Sequence, residues 1–221
     1  GQFVVGAMAA CACGIMLKLP PVIHAIVCIL AAAAAGFVWS YLVGLLKVKR
    51  GIHEVLSFIM FNWIAFYLSN FLVNTVALHK EGSGEATKNV LDSARLLFPE
   101  GILKALDCTG ANWGFILAIA AAVAMWIIIE KTTLGYKLKA VGFNKDAATF
   151  GGINANKSIL TALGISGALA GIGGAVQVLG MSGRISQFAG QEGYGFQGIT
   201  VALIAGSNPL GCILSGIFYG A

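Results

Sequence analysis

Long runs without a charged residue alternate with short polar breaks along this chain. A helix needs about 20 mostly apolar residues to cross a bilayer, and most of the runs are long enough. The uncharged runs are 1–17, 19–46, 55–78, 111–129, 158–183 and 193–221. The last run is interrupted at 206–209, where a proline that cannot continue a helix follows Gly, Ser and Asn. It therefore predicts two shorter helices, 194–205 and 209–221. The whole pattern predicts about seven hydrophobic helices, some of them broken or re-entrant.

Composition supports an all-α polytopic membrane protein. Hydrophobic residues make up 58% of the chain and charged residues only 10%, whereas soluble domains carry about 25% charged residues. Glycine is abundant, at 30 of 221 residues, which suits close helix packing in lipid. We expect one transmembrane domain over 1–221. Because residue 1 is Gly and the last apolar run reaches residue 221, we also expect an internal fragment of a longer protein.

The positions of the charges predict the orientation. The net charge is +5, and the basic residues lie almost entirely in the breaks between apolar runs, which is not the pattern of a nucleic-acid-binding face. The 47–54 break holds three basic residues against one Glu, and 130–157 holds five lysines against two acids. The 79–110 segment holds four basic residues against five acids. The positive-inside rule therefore predicts that 47–54 and 130–157 are cytoplasmic and that 79–110 is extracytoplasmic. A short helix is expected around 89–98.

Four glycines recur at intervals of three, four and three in the run that begins at residue 158. These are Gly164, Gly167, Gly171 and Gly174. The spacing places them on one face of a helix over 158–180, where small residues let two backbones approach closely. Two interpretations stay open: tight packing without a further role, or a sliding seam in a moving transporter.

The polar segment 130–157 predicts a short surface helix. Asn144 is a good N-cap, residues 145–150 fill one to two turns, and Gly151-Gly152 is a helix stop. Gly135 and Gly142 are expected to bend the chain into this helix. A second chain is able to seat such a helix in a groove; the alternative is an amphipathic surface helix with no partner.

The sequence contains no candidate catalytic residue and no candidate metal site. There is no phosphate-binding Gly-x-x-x-x-Gly-Lys motif, no zinc-binding His-Glu-x-x-His motif and no Gly-x-Ser-x-Gly motif. What remains is a set of neutral polar and aromatic residues within the apolar runs. They are Asn62, Trp63, Ser69, Asn70, Asn74, Gln177, Gln187, Phe196 and Gln197. An amide side chain at this depth is unfavourable unless it forms hydrogen bonds. Each of these residues therefore either hydrogen-bonds to another helix or lines a water-filled path. The candidates for a substrate path are Asn62, Trp63, Asn70, Gln177 and Phe196, of which Asn62 and Gln177 are the deepest.

Several motifs, in order along the chain, resemble one family of bacterial ABC importer permeases. The branch is the one that serves simple sugars, nucleosides and, more distantly, branched-chain amino acids, and the 193–211 motifs are most similar to its nucleoside-uptake members. The matching segments are 1–2, 54–57 with Met60 and Asn62, 132–135, 140–144, 147–148, 152–153, 165–175, 193–203 and 208–211. The departures are Lys139, where the family more often has Arg, and residues 205–207. They leave the substrate open.

The resemblance implies a function and a set of partners. It implies the transmembrane subunit of an importer for nucleosides or related simple sugars, in a bacterial inner membrane. The chain would be no enzyme and bind no cofactor, because ATP and Mg²⁺ bind a separate ATPase subunit. A second permease subunit and an extracytoplasmic substrate-binding protein are also implied. The residues that match the family's ATPase-coupling loop are Gly142, Phe143, Asn144, Ala147, Ala148 and Gly152.

The main alternative is an ion-coupled secondary transporter of a small polar solute. Such transporters usually bury an ionisable residue at the middle of the membrane, and no Asp, Glu, Lys or Arg lies within the apolar runs. A membrane enzyme acting on lipids and a structural scaffold are less favoured. The former lacks a nucleophile with its base, and the latter does not explain polar residues in so many spans.

Overall fold

Helices dominate the computed structural model, which describes residues 1–75, 78–79, 86–97, 112–188, 190 and 193–220. The α-helices, numbered here in chain order, are α1 Gln2–Met16, α2 Pro21–Arg50, α3 Glu54–Val73, α4 Gly114–Lys131, α5 Thr133–Phe143, α6 Lys145–Phe150, α7 Ala155–Val176, α8 Tyr194–Ile204 and α9 Gly211–Gly220. A π-helical stretch, Gln177–Ser182, continues α7. Only isolated β-bridges join extended residues in the described part of the chain.

The apolar helices agree with the predicted runs. Four are long and apolar enough to cross a membrane: α2, α3, α4, and α7 with its π-helical extension. Three shorter apolar helices, α1, α8 and α9, bring the number in the described residues to seven. The interruption predicted at 206–209 is confirmed, since Gly206 and Ser207 both have φ near +60° and separate α8 from α9. The chain is an all-α, multi-pass membrane protein.

The chain forms two compact units. The first holds residues 1–114 and 163–191, and the second holds 115–162 and 192–221. The first unit contains α1, α2, α3 and most of α7. The second contains α5, α6, α8, α9 and nearly all of α4.

Glycines create the core of the first unit, where α1, α2 and α7 meet with almost no side chain between them. A Cβ built on Gly171 would stand 2.3 Å from the Ala32 carbonyl oxygen of α2. One on Gly6 of α1 would stand 2.4 Å from the Gly171 Cα. Gly167 meets the Gly36 carbonyl in the same way, at 2.4 Å. The predicted glycine face is therefore confirmed as a tight packing surface, and it contacts two helices rather than one.

The described part of the predicted outer segment, residues 86–97, packs against the ends of α1 and the π-helical stretch. The Leu91 amide donates to the Gly14 carbonyl (3.1 Å), and the Leu96 amide donates to the Leu179 carbonyl (2.9 Å). The second bond satisfies a carbonyl at a point where the helix has changed its hydrogen-bond register. The helix expected around 89–98 is wrong: residues 92–94 form a single 3₁₀ turn flanked by extended backbone. The turn itself is closed by two local bonds, from the Ala94 amide to the Leu91 carbonyl and from the Arg95 amide to the Asp92 carbonyl, and the extended residues on either side bond to neighbouring elements.

His24 joins this segment to the core. Its side chain is fully buried near the start of α2. Its Nδ1 lies 2.7 Å from the Ser93 Oγ, and its Nε2 lies 3.2 Å from the Cys13 carbonyl oxygen. The imidazole thereby pairs one group from α1 and one from the outer segment. Nothing in the local sequence distinguishes His24 from His53 or His79, because both of its partners are distant along the chain.

Candidate functional site

A short capped helix, α6, is the centre of the predicted partner contact. The Asn144 Oδ1 accepts hydrogen bonds from the Asp146 and Ala147 amides, both at 3.0 Å. At the other end, the Gly151 amide donates to the Ala147 carbonyl, and Gly152 turns the chain with φ of +81°. Both the cap and the stop predicted from the sequence are confirmed. A positive φ of this kind favours glycine, which explains the residue type at position 152.

The predicted bend at Gly135 and Gly142 is wrong in part, because both residues lie inside the regular helix α5. The chain turns instead at Thr132, whose hydroxyl donates to the Ile128 carbonyl (2.6 Å) and accepts from the Gly135 amide (3.2 Å). Gly135 permits a tight turn, since a Cβ there would stand 2.2 Å from the Ile129 carbonyl oxygen. Apart from its chain neighbours and the backbone of its own helix, no described residue comes within 4 Å of a Cβ built on Gly142, so that position has no steric need for glycine.

Large apolar side chains project from both ends of α6. Phe143 is 89% exposed and Phe150 is 94% exposed. Between them Ala147 is exposed, while Ala148 is buried. We call the exposed set Phe143, Ala147 and Phe150 the α6 surface. Exposed aromatic residues next to a small side chain are typical of a binding surface.

A single residue connects α6 to α5. The Asn144 amide donates to the Ala140 carbonyl (3.1 Å) and closes α5, while its side chain caps α6. One residue therefore ends α5 and begins α6, so the two helices meet without a linker between them. Gly142, Asn144 and Gly152 are all exposed beside the α6 surface.

Among the predicted path residues, Asn70 has a structural role. Its Nδ2 donates to the Phe188 carbonyl (3.1 Å), and its Oδ1 accepts from the Phe188 amide (2.9 Å). One turn later, the Asn74 Oδ1 accepts from the Gln187 Nε2 at 2.8 Å. The two amides fix residues 187–188 against α3. Of the two interpretations left open for Asn70, the bonds favour a join between elements over a wet path.

Replacing Asn70 with Asp is expected to destabilise the protein by about 1–3 kcal/mol. A carboxylate keeps the acceptor for the Phe188 amide but loses the donor, so the Phe188 carbonyl is left without its partner. Asn74→Asp is the matched control, because it keeps the oxygen that accepts from Gln187 Nε2 and loses only the exposed bond that Asn74 Nδ2 donates to the Asn70 carbonyl. The free energy of unfolding of the purified protein in detergent measures both. Equal losses in the two variants would contradict the structural role of Asn70.

The other path candidates lie in different surroundings. Asn62 is half-buried on α3, and its Oδ1 accepts a hydrogen bond from the nitrogen of Gly1. Gln177 is half-buried at the first position of the π-helical stretch, a kind of distortion that is frequent at functional sites. Trp63 is 45% exposed and stacks on Tyr67, with ring centroids 6.1 Å apart. Phe196 belongs to the second unit, where it is 78% exposed.

The second unit also holds an apolar cavity of about 640 Å³ between α4 and α9. Its walls include Phe115 and Ile119 of α4 and Ile213 and Ile217 of α9. The Cys212 thiol is the one polar side chain among its lining residues. A nucleoside or sugar needs several hydrogen-bonding groups, so this lining does not suit such a solute.

Comparison with known proteins places the chain in a family. The family model described as "Branched-chain amino acid transport system / permease component" matches residues 1–221. The guanosine ABC transporter permease protein NupP of Bacillus subtilis (strain 168) is 38% identical over 227 aligned positions, covering 100% of this chain and 64% of that protein. No solved structure matches the chain.

Two further relatives differ in what their names say they transport. The nucleoside ABC transporter permease protein NupB of Lactococcus lactis subsp. cremoris (strain MG1363) is 35% identical, covering 83% of this chain and 51% of that protein. The ribose import permease protein RbsC of Escherichia coli (strain K12) is 25% identical, covering 93% of this chain and 58% of that protein. The chain thus spans between half and two thirds of the length of these relatives. With a family match over its whole length, the chain belongs to the branched-chain amino acid transport system permease components.

Proposed function

We propose that this chain is part of the transmembrane subunit of an ATP-binding-cassette importer that moves nucleosides or related simple sugars into the cytoplasm. The observation that carries the proposal is the exposed, capped helix α6, in a chain that matches a permease family throughout. Two of the relatives described above are named as guanosine or nucleoside permeases. The ribose permease, at lower identity, supports the wider class of sugar-like solutes.

In this proposal a separate ATPase subunit binds ATP and Mg²⁺ and grips the α6 surface. The 130–157 segment faces the cytoplasm, because it and 47–54 carry the excess of positive charge. The 79–110 segment faces the opposite side, toward a substrate-binding protein. A second permease subunit completes the path, and the assembly lies in a bacterial inner membrane.

Movement of α6 has a direct route into the membrane. Asn144 joins α6 to α5, and the turn at Gly152 leads within three residues to the start of α7. Farther along, α7 carries the glycine face that contacts α1 and α2. These contacts join helix backbones directly, so side chains cannot absorb a shift of α7. Such a shift therefore displaces the partner helices as rigid bodies. We propose that this shift alternates access to a path near Asn62 and Gln177.

Reconstituted transport tests the proposed function. The full-length permease is placed in proteoliposomes with its ATPase and, where required, its second subunit and binding protein, and uptake of labelled guanosine and ribose is measured. Uptake is expected to require ATP and to stop with a non-hydrolysable ATP analogue, because the energy comes from the ATPase. Uptake without the ATPase, driven by an imposed ion gradient, would contradict the proposal and favour a secondary transporter.

A further inference from the structure

A basic cavity lies in the second unit, beside α6 but distinct from the α6 surface. It has a volume of about 450 Å³ and is bounded by α5, the 152–154 turn and the first two turns of α7. Lys137 stands on the α5 wall and Lys157 on the α7 wall, so the two ammonium groups come from different elements. Thr133 adds a hydroxyl group, the Ser158 hydroxyl already donates to the Asn154 carbonyl, and Leu134 and Leu138 make part of the lining apolar.

These two lysines differ from Lys131 and Lys139, which have partners in the same segment. Lys139 pairs with Glu130 at 2.5 Å, and the Lys131 ammonium lies 5.6 Å from the centre of the Trp126 ring. Neither Lys137 nor Lys157 takes part in an ion pair within the described ranges. Both lysines are exposed, and together they offer two positive charges, from two different helices, to an anion that enters the cavity. The cavity therefore has the charge distribution of an anion site.

The position of the cavity identifies the kind of anion. The membrane-spanning helix α4 ends at Lys131, and the next one, α7, begins at Ala155. The residues between and just beyond these ends line the cavity, so it lies at the ends of two candidate spans, where lipid head groups are expected. Its mixed lining suits an amphiphile, with two lysines and the Thr133 hydroxyl for a phosphate and leucines for the adjoining apolar part. The first turn of α7 adds the positive end of a 22-residue helix.

We propose that this cavity binds the phosphate of an anionic phospholipid head group between Lys137 and Lys157. Phosphate is the shared chemistry, and the apolar wall favours a lipid over free phosphate as its source. Juxtamembrane lysines attract anionic lipids, and basic pockets near helix ends hold their head groups. The site does not depend on the solute that the importer moves. Its test is therefore independent of the test of the proposed function.

Lipid titration of the purified full-length permease in a neutral detergent tests the site. The midpoint of thermal unfolding is followed against added phosphatidylglycerol, with phosphatidylcholine and inorganic phosphate as separate arms. Phosphatidylglycerol is expected to raise the midpoint, because a ligand that binds only the folded state stabilises it. Its apparent affinity is expected to fall roughly 5-fold in Lys137→Gln or Lys157→Gln and roughly 30-fold in the double variant.

Lys131→Gln is the matched control, because it removes the same charge from the same segment but lies outside the cavity. Its affinity for phosphatidylglycerol is expected to stay within about 2-fold of that of the unaltered protein. If the double variant folds poorly, the two single variants carry the test. The proposal is overturned if the double variant keeps its response to phosphatidylglycerol. If inorganic phosphate gives a lysine-dependent response and the lipid gives none, the bound anion is free phosphate and the assignment to a lipid is overturned.

Discussion

Gly171→Ala is expected to destabilise the protein by about 3 kcal/mol, at the upper end of the range for overpacked cores. The added methyl would stand 2.3 Å from the Ala32 carbonyl oxygen, and Gly171 is also in backbone contact with Gly6. A side chain can rotate away from a clash, but the atoms that the methyl would meet are backbone atoms of α2, so α7 and α2 must separate. Accumulation in the membrane and the free energy of unfolding in detergent measure the loss.

Gly173→Ala provides a control on the same helix. A Cβ there would lie 3.7 Å from the nearest atoms of the Phe3 ring, an ordinary van der Waals contact. Because Ala is a better helix former than Gly, this variant is expected to be neutral or more stable by about 0.5–1 kcal/mol. A similar loss in both variants would mean that helix propensity or insertion, rather than close contact at Gly171, explains the effect.

The apolar spans could be predicted because the bilayer imposes a simple rule on composition and length. The ends of the helices differ from the ends of the uncharged runs for a physical reason. The run 19–46 stops before Lys47, yet α2 continues to Arg50 and ends on a left-handed Gly51. A charge ends the apolar span but not the helix, since Lys and Arg are favourable near a helix C-terminus and can reach toward the interface.

Local signals likewise predicted α6. A cap, a short helical segment and a pair of glycines are all contained within nine residues, and each part acts on its neighbours. The glycine face could be predicted from its spacing, but its partners could not. Periodicity identifies one surface of α7, whereas contact with both α1 and α2 depends on how three helices cross.

Contacts between residues far apart along the chain could not be predicted from the sequence. Asn70 is a suitable lining residue by type and depth, and its role as a join depends on Phe188, 118 residues later. His24 and Ser93 are 69 residues apart. The cavity between Lys137 and Lys157 was also missed, because a count of lysines gives orientation but not which of them already have a partner.

Placing an arginine at Ala147 is expected to abolish most ATP-driven uptake while leaving the fold intact. Ala147 is exposed between Phe143 and Phe150, so the larger side chain meets no structural obstacle among the described residues. In the proposed complex, the arginine would place a bulky charged group at the centre of the apolar contact with the ATPase groove. Disruption at the centre of an interface typically exceeds 2 kcal/mol, which corresponds to a loss of roughly 30-fold.

Asn156→Arg gives the same added side chain at an exposed position of the same polar segment, but outside α6. It is expected to retain uptake, because it lies beyond the α6 surface. Both variants are compared for thermal unfolding, for co-purification with the ATPase and for uptake in proteoliposomes. Ala147→Arg should lose the ATPase and uptake together at an unchanged unfolding midpoint. If it keeps both, α6 is a surface helix without a partner, and energy from ATP must reach the membrane helices by another contact.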